Sequence, residues 1–457
     1  MNLDLIIASK IFTKFCLEFL EKSRSSCLDP KFLINKMNIV LFIRTHNDMD
    51  HALPILDYLI RVKHLKVSVY GVDNNYKKYT RHLSYMERVL SINITPFEDE
   101  YYSIINRKLL KIVSKLSVKK NFNLKLFNFF YEVLYANIKN IIWWLSSGAV
   151  RRFLSGLPMH TTILADVGVE GVFPYRYIIK YAQKNNFPVI AYHHGFNVFV
   201  NTDFHGKKDK TFLPEPLNNF ILDSVLHKRN KIFFDRYLIA KREPGTFFAG
   251  ANNTSFKEYS KTVEIGIPRF SLEWMKIFVK TWERDIVKND DKCINVALFI
   301  SNVKFNVNKN TLDNIINELI SLKTINFIIV PHTRANVSGI NHAKYQSYLT
   351  CMSSTDVIEW ADIGIVYGSS IGFQMLVEKV ILLVPKFLDN NTTVYEKSGA
   401  CIVSNTLENM MDFIKSYNKG DNFMDSKIVD KFINEYVYGG YNSYEEMMDV
   451  YVTNICN

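Results

Sequence analysis

Met37-Asn-Ile-Val-Leu-Phe-Ile-Arg44 and Lys66-Val-Ser-Val-Tyr-Gly71 frame the stretch that decides the fold. The first is a short continuous apolar run, followed by the polar residues Thr45 to Asp50. Such a run suits a strand buried on both faces, as in a parallel sheet. Ala52 to Val62 has helical periodicity, and the second run is another strand. Strand, helix, strand is the rhythm of a doubly wound α/β domain.

The rhythm continues outward. Thr162–Asp166, Pro188–Tyr192, Tyr237–Ala240 and Thr262–Ile265 read as strands, with a helix over Tyr175–Lys184. After the charged stretch Arg284–Lys292 it restarts. Ile294–Ile300, Asn326–Val330, Asp362–Val366 and Val380–Val384 read as strands, and Leu312–Leu322 and Ile371–Lys379 as helices. Phe423–Ile455 reads as helical. Between Ile104 and Leu154, lysines alternate with Leu, Ile and Val, and then aromatics cluster. One or two basic amphipathic helices are expected there, either core-packed or lying at a membrane interface. Residues 1–36 read as a further helical segment.

The expected organisation is therefore 1–36 N-terminal helical, 37–284 and 285–425 Rossmann-like, and 426–457 a helical tail. The two α/β domains face each other across a cleft. At 457 residues the chain exceeds one typical domain of about 150. The 56 Lys and Arg against 45 Asp and Glu leave a formal charge of +11. That surplus implies a polyanionic partner: nucleic acid, an anionic membrane or a phosphate-bearing substrate. No zinc-finger, RNA-recognition or helix-turn-helix pattern supports nucleic acid. Six scattered cysteines form no close pair, which points to a reduced compartment. Asp4, Lys10, Lys14 and Glu18 interrupt the N-terminal apolar residues, so neither a signal peptide nor a spanning helix is expected.

In open α/β sheets, ligands bind beyond the carboxyl ends of the strands. Three such places carry chemistry. Gly368-Ser369-Ser370-Ile371-Gly372 stands where a strand turns into a helix, and its amides and hydroxyls suit an anion. The same residues would equally serve as an ordinary helix start. Pro331-His332-Thr333-Arg334 offers an imidazole and a guanidinium for phosphate, or is a polar surface loop. In the first domain, Asp166 to Gly171 and Tyr192-His193-His194-Gly195 hold carboxylates and imidazoles that can deprotonate an acceptor hydroxyl. The histidine pair lacks a spaced acidic or cysteine set, so no metal is expected.

With these residues in view, the sequence resembles bacterial two-domain (GT-B) glycosyltransferases of surface and capsule polysaccharide synthesis. It is similar also to CDP-glycerol glycerophosphotransferases and, more widely, to the UDP-N-acetylglucosamine 2-epimerase clan. The resemblance runs from Ile39 to Asn405. It rests on His194-Gly195, Gly266-Ile-Pro-Arg-Phe270 with Trp274, Val330-Pro-His332-Thr-Arg334, Ser354 to Asp362, Gly368-Ser-Ser-Ile371, Val384-Pro385 and Tyr395-Glu396.

It implies that Gly368, Ser369, Ser370 and His332, with Arg334 nearby, bind the donor's phosphates. His194 would act on the acceptor as base or orienter. Glu170 lies in a loop that carries the base in some relatives. Gln374 and Tyr395 would contact the donor. The implied activity is transfer of a sugar from a nucleotide-activated donor, cytidine-linked by the pattern of motifs, to a growing polysaccharide or lipid-linked glycan. The alternatives are polyol-phosphate transfer, or epimerase or hydrolase action on a nucleotide sugar. No cofactor beyond the donor substrate is implied. The expected location is cytoplasmic, at the inner face of the cytoplasmic membrane. Thr333, Gln374 and Glu378 depart from the residues usual in relatives, which leaves the donor sugar open.

Overall fold

In the computed structural model, the strands of the first half lie in the order β3-β2-β1-β4-β5-β6-β7, all parallel. They span Asn38–Ile43 (β1), Lys66–Gly71 (β2), Ile94–Pro96 (β3), Thr161–Asp166 (β4), Val189–Tyr192 (β5), Arg236–Ile239 (β6) and Thr262–Glu264 (β7). The structure describes residues 37–117, 125–193, 196, 198–201, 232–241, 259–282, 293–300, 307–331, 340–389, 391–421 and 423–456. The expectations for residues 1–36, for the 284–292 boundary and for His194, Gly195, His332, Thr333 and Arg334 lie outside these residues.

The unbroken apolar run of β1 is explained by its central place. Alternate residues point to opposite faces, and both faces are covered. Ile39, Leu41 and Ile43 join a core with Leu164, Ile190 and Leu238. Val40 and Phe42 join another with Ile163, Ala165 and Ala191. The first face is packed by helix α1 (His46–Asp57) and by the chain's last helix. Helix α2 (Thr80–Arg88) follows β2. Two long helices, α3 (Ile104–Ser117) and α4 (Lys125–Ser146), form the insertion. Helices α5 (Gly148–Ser155) and α6 (Tyr175–Lys184) cover the second face. Helix α7 (Leu272–Val279) ends this half, its N-cap Ser271 accepting the Trp274 amide.

The second sheet has the order β12-β11-β10-β8-β9, again all parallel. Its strands are Ile294–Phe299 (β8), Ile325–Val330 (β9), Ile363–Val366 (β10), Ile381–Pro385 (β11) and Ile402–Ser404 (β12). Its helices are α8 (Lys309–Ser321), α9 (Ser354–Trp360), α10 (Ile371–Val377) and α11 (Leu407–Ser416). The tail is two helices, α12 (Ser426–Tyr436) and α13 (Tyr444–Cys456). They are broken at Gly439 and Gly440, both with positive φ, where one continuous helical stretch was expected. The fold class is the expected one: two parallel α/β sheets with helices on both faces.

Two features were not foreseen. Helix α13 returns to the first half, where Tyr58 Oη donates to Asp449 Oδ1 at 2.6 Å and Tyr451 Oη to the Gly266 carbonyl at 3.1 Å. The polar residues Thr45–Asp50, ahead of the helical periodicity read from Ala52, are the cap and first turn of α1. Apolar periodicity hides this start, because a helix's first turn can carry polar side chains that face a crevice rather than the core.

Candidate active site

In the first sheet the chain order reverses between β1 and β4, so the loops leaving their carboxyl ends diverge and open a crevice. Asp48 lies in the first turn of α1, just after β1. It accepts the Arg44 backbone N–H at 2.9 Å and the Thr45 hydroxyl, and it is wholly buried. Asp166, the last residue of β4, is also buried. The Arg44 guanidinium stands 3.9 Å from each of these two carboxylates. Two acids therefore share one cation.

A second cluster lies one turn along α1. His46 and Asp50 are four residues apart and so share a helix face. Asp50 receives Arg269 on one oxygen, and its other oxygen lies 3.2 Å from His82 Nε2. The His46 and His82 rings are 4.7 Å apart. Burial lowers the His46 pKa to about 4, with Asp50 opposing the shift and His82 and Arg269 adding to it. His46 is therefore a neutral imidazole at pH 7. Burial works against ionised Asp50, but Arg269 and His82 outweigh it and hold the carboxyl well below its usual range. His46, Asp50 and His82 bring ligand-type atoms within 4.8 Å of one another. They could close on a divalent cation only if Arg269 released Asp50, since a guanidinium already neutralises that carboxylate. His51 follows, its ring 5.9 Å from His193 and 6.2 Å from Phe270.

In the second sheet the order reverses between β8 and β10. Beyond β10, Gly368 takes φ +60°, and a Cβ there would stand 2.6 Å from the Phe199 ring. Glycine is required both for the left-handed backbone and for this approach. Ser369 and Ser370 are half-buried. The Ser370 side chain makes no capping bond to α10, and Ser369 Oγ lies 3.4 Å from the Ile371 amide. Tyr395 is fully buried beneath the loop and donates to the Ser369 carbonyl at 3.1 Å. It supports the loop from below. Gln374 is buried too, and its amide donates to Glu378 at 3.0 Å.

The two regions are brought together by loops of the first half landing on α10. Phe270, beside Arg269, stacks on Phe373 with centroids 5.5 Å apart. Phe196 meets the same ring edge-on at 5.1 Å. The Val394 amide donates to the Val198 carbonyl at 2.7 Å, and the Val200 amide to the Thr392 carbonyl at 2.9 Å. Arg81 pairs with Asp356 of α9 at 3.0 Å. One hydrophobic cluster thus contains Phe196, Ile267 and Phe270 together with Phe373 and Tyr395.

Among the residues singled out from the sequence, Gly368, Ser369 and Ser370 are together at the loop, with Tyr395 behind it. Glu170 is buried and accepts from Tyr237 Oη of β6 at 3.0 Å. The sequence reading missed Arg44, His46, Asp50, His51, His82 and Arg269. The four-residue spacing of His46 and Asp50 was a visible signal. Arg269 stood inside the Gly266–Phe270 motif without a role. His82 carried no signal at all.

No family model and no curated protein matches the chain. Solved structures do, at low identity. A glycosyltransferase of kitacinnamycin is 11% identical with TM-score 0.49, over 92% of this chain and 99% of that one. A variant of the wall teichoic acid polymerase TagF is 12% identical with TM-score 0.48, over 100% and 98%. A UDP-GlcNAc 2-epimerase from Neisseria meningitidis, bound to UDP-GlcNAc, is 13% identical with TM-score 0.49, over 92% and 100%. Likeness at this level is one of overall form and carries no functional argument.

Proposed function

We propose that the chain is a glycosyltransferase that moves a sugar from a cytidine-activated nucleotide donor to a surface glycan or lipid-linked acceptor, at the inner face of the cytoplasmic membrane. The observation that carries this reading is the placement of Gly368-Ser369-Ser370. This half-buried loop of uncharged donors sits at the reversal point of the second sheet and is joined through Phe373 and Phe270 to the histidine-lined crevice of the first.

In this reading the loop's hydroxyls and amides take the donor's phosphates, with His332 and Arg334 adding positive charge as the nucleotide departs. His194, next to His193 and hence close in sequence to the His51 contact, removes the acceptor proton. Glu170 is the alternative base, and it must loosen its bond to Tyr237 to serve. Phe199 and Tyr395 hold the loop in shape. Closing the cleft excludes water and limits hydrolysis of the donor. A polyol-phosphate donor would use the same loop, with attack at phosphorus.

A second reading, epimerase or hydrolase action on the nucleotide sugar, draws support from the Asp48, Asp50 and Asp166 carboxylates and His46 in the first crevice. These supply acid and base without any acceptor.

The test is a melting-temperature screen of CMP, CDP, UDP, GDP and their sugars, followed by assay of nucleotide release with and without an acceptor extract. A ligand that binds the native state alone raises the melting point. Transfer predicts a shift with cytidine nucleotides and acceptor-dependent release. Conversion without acceptor favours the epimerase, and no shift with any nucleotide defeats both.

A further inference from the structure

Helices α3 and α4 pack on each other, with Tyr131 Oη donating to the Leu116 carbonyl at 2.6 Å, and each keeps an outward stripe uncovered. On α3, Ile105, Lys108, Ile112 and Lys115 are all exposed. Their three- and four-residue spacing places them on one helix face. Ile105 is 70% exposed. On α4, Leu134, Ile141, Trp144 and Leu145 share a face by the same rule, and Trp144 is 61% exposed. Isolated apolar residues on a surface are ordinary, but contiguous large ones mark a contact.

The charge around them is predominantly positive. Helix α3 carries Arg107, Lys108, Lys111 and Lys115 and no acidic residue, with Arg107 paired to Asp99 at 3.4 Å, and α4 carries Lys125 and Lys139 against the single acid Glu132. Lys139 lies over the Trp143 ring at 5.0 Å. No helix among the described residues is long and apolar enough to cross a membrane. A second copy is a poor occupant, since a self-complementary contact would set these lysines against one another. Long apolar side chains interleaved with cations suit a headgroup layer, where the apolar groups enter the acyl boundary and the lysines meet anionic lipid.

We infer that the outward faces of α3 and α4 dock on an anionic lipid bilayer and lie on its surface. The site's own geometry gives the docking a purpose. Trp143 of α4 stacks on Phe173 with centroids 5.9 Å apart, and Tyr102, just before α3, meets the same ring at 5.9 Å. Phe173 belongs to the loop leaving β4 that carries Glu170. The docked helices therefore hold the acceptor-side loop at the membrane, where a lipid-linked acceptor would arrive. That last step rests on the transferase reading; the docking itself does not.

The experiment is co-sedimentation of the full chain with vesicles of phosphatidylcholine alone, or of phosphatidylcholine with phosphatidylglycerol, at rising salt. The expected result is binding to the anionic vesicles only, weakening with salt. The triple variant Lys108→Glu, Lys111→Glu, Lys115→Glu loses on the order of 100-fold in partitioning. The pair Ile141→Ser, Trp144→Ser weakens binding at every salt concentration. Unchanged melting temperatures would show that both variants fold, as expected for exposed positions. Absent wild-type binding overturns the inference, as does equal partitioning of the variants. So does a dimer in light scattering that the same substitutions dissociate. A protein that gains melting temperature with nucleotide but ignores vesicles fails here alone. One that binds vesicles but no nucleotide fails the transferase reading alone.

Discussion

The two reversal points differ in kind. At the first sheet the crevice is lined by charges that already answer one another: Arg44 between Asp48 and Asp166, and Arg269 and His82 on Asp50. At the second sheet the loop is uncharged and half-buried, and its geometry is set by aromatic packing from Phe199 and Tyr395. A self-neutralised charge network is costly to disturb and keeps its side chains in place. An uncharged loop holds no ion pair that an approaching anion must break. Stability should therefore reside in the first region and nucleotide affinity in the second.

The largest effect should come from Arg269→Met. It leaves Asp50 largely buried without its guanidinium and should cost about 3–5 kcal/mol, measured by denaturant unfolding. A cost near zero would erase the contrast. Next is the pH dependence of stability. The His46 pKa is about 4 in the fold against 6.5 ordinarily. As pH falls from 6.5 to 4, the unfolded chain takes up a proton that the folded chain refuses. Stability is therefore full above pH 6.5 and is lost across that window, by an amount on the order of 3 kcal/mol. His46→Asn should flatten this slope, and an unchanged slope would place the titration elsewhere.

In the second region, Gly368→Ala meets both the left-handed backbone and the Phe199 ring. It should cost about 2 kcal/mol and remove the nucleotide-induced rise in melting temperature. Tyr395→Phe removes one buried hydrogen bond to the Ser369 carbonyl, about 1 kcal/mol. The smallest stability effect belongs to Ser369→Ala with Ser370→Ala, within about 0.5 kcal/mol. The same double variant should weaken nucleotide binding by about ten-fold or more in calorimetric titration. Intact affinity would take the phosphates away from this loop.

The insertion offers a separate contrast between neighbouring helices. The α5–α6 face of the sheet buries Val150, Phe153 and Ile178, whereas α3 and α4 leave Ile105 and Trp144 in the open. Core aromatics and surface aromatics share one periodicity, and periodicity alone left both readings standing.

Most of the fold was legible because β1, β4, β5, β8, β10 and β11 are buried on both faces, and such strands write themselves as unbroken apolar runs. Ile94–Pro96 and Ile402–Ser404 were not read from the sequence: each is three residues at a sheet edge, without the alternation of Thr262, Val263, Glu264 and Ile265 that marked the equally short edge strand β7. The start of α1 was misread because His46, Asp48 and Asp50 replace the apolar residues that announce a helix. The Gly-Ser-Ser loop was visible because its chemistry is local, a strand end followed directly by hydroxyls and a helix.

Local runs of residues thus sufficed to specify two parallel sheets and a Gly-Ser-Ser turn from strand to helix, because strand burial and helix starts are written in adjacent positions. The charged crevice was decided by folding. His46 and Asp50 meet His82 from the next helix and Arg269 from beyond β7, and Glu170 meets Tyr237 across sixty-seven positions. Such pairings depend on which strands lie side by side. That order is set by burial of whole faces and leaves no mark in the spacing of the residues it unites.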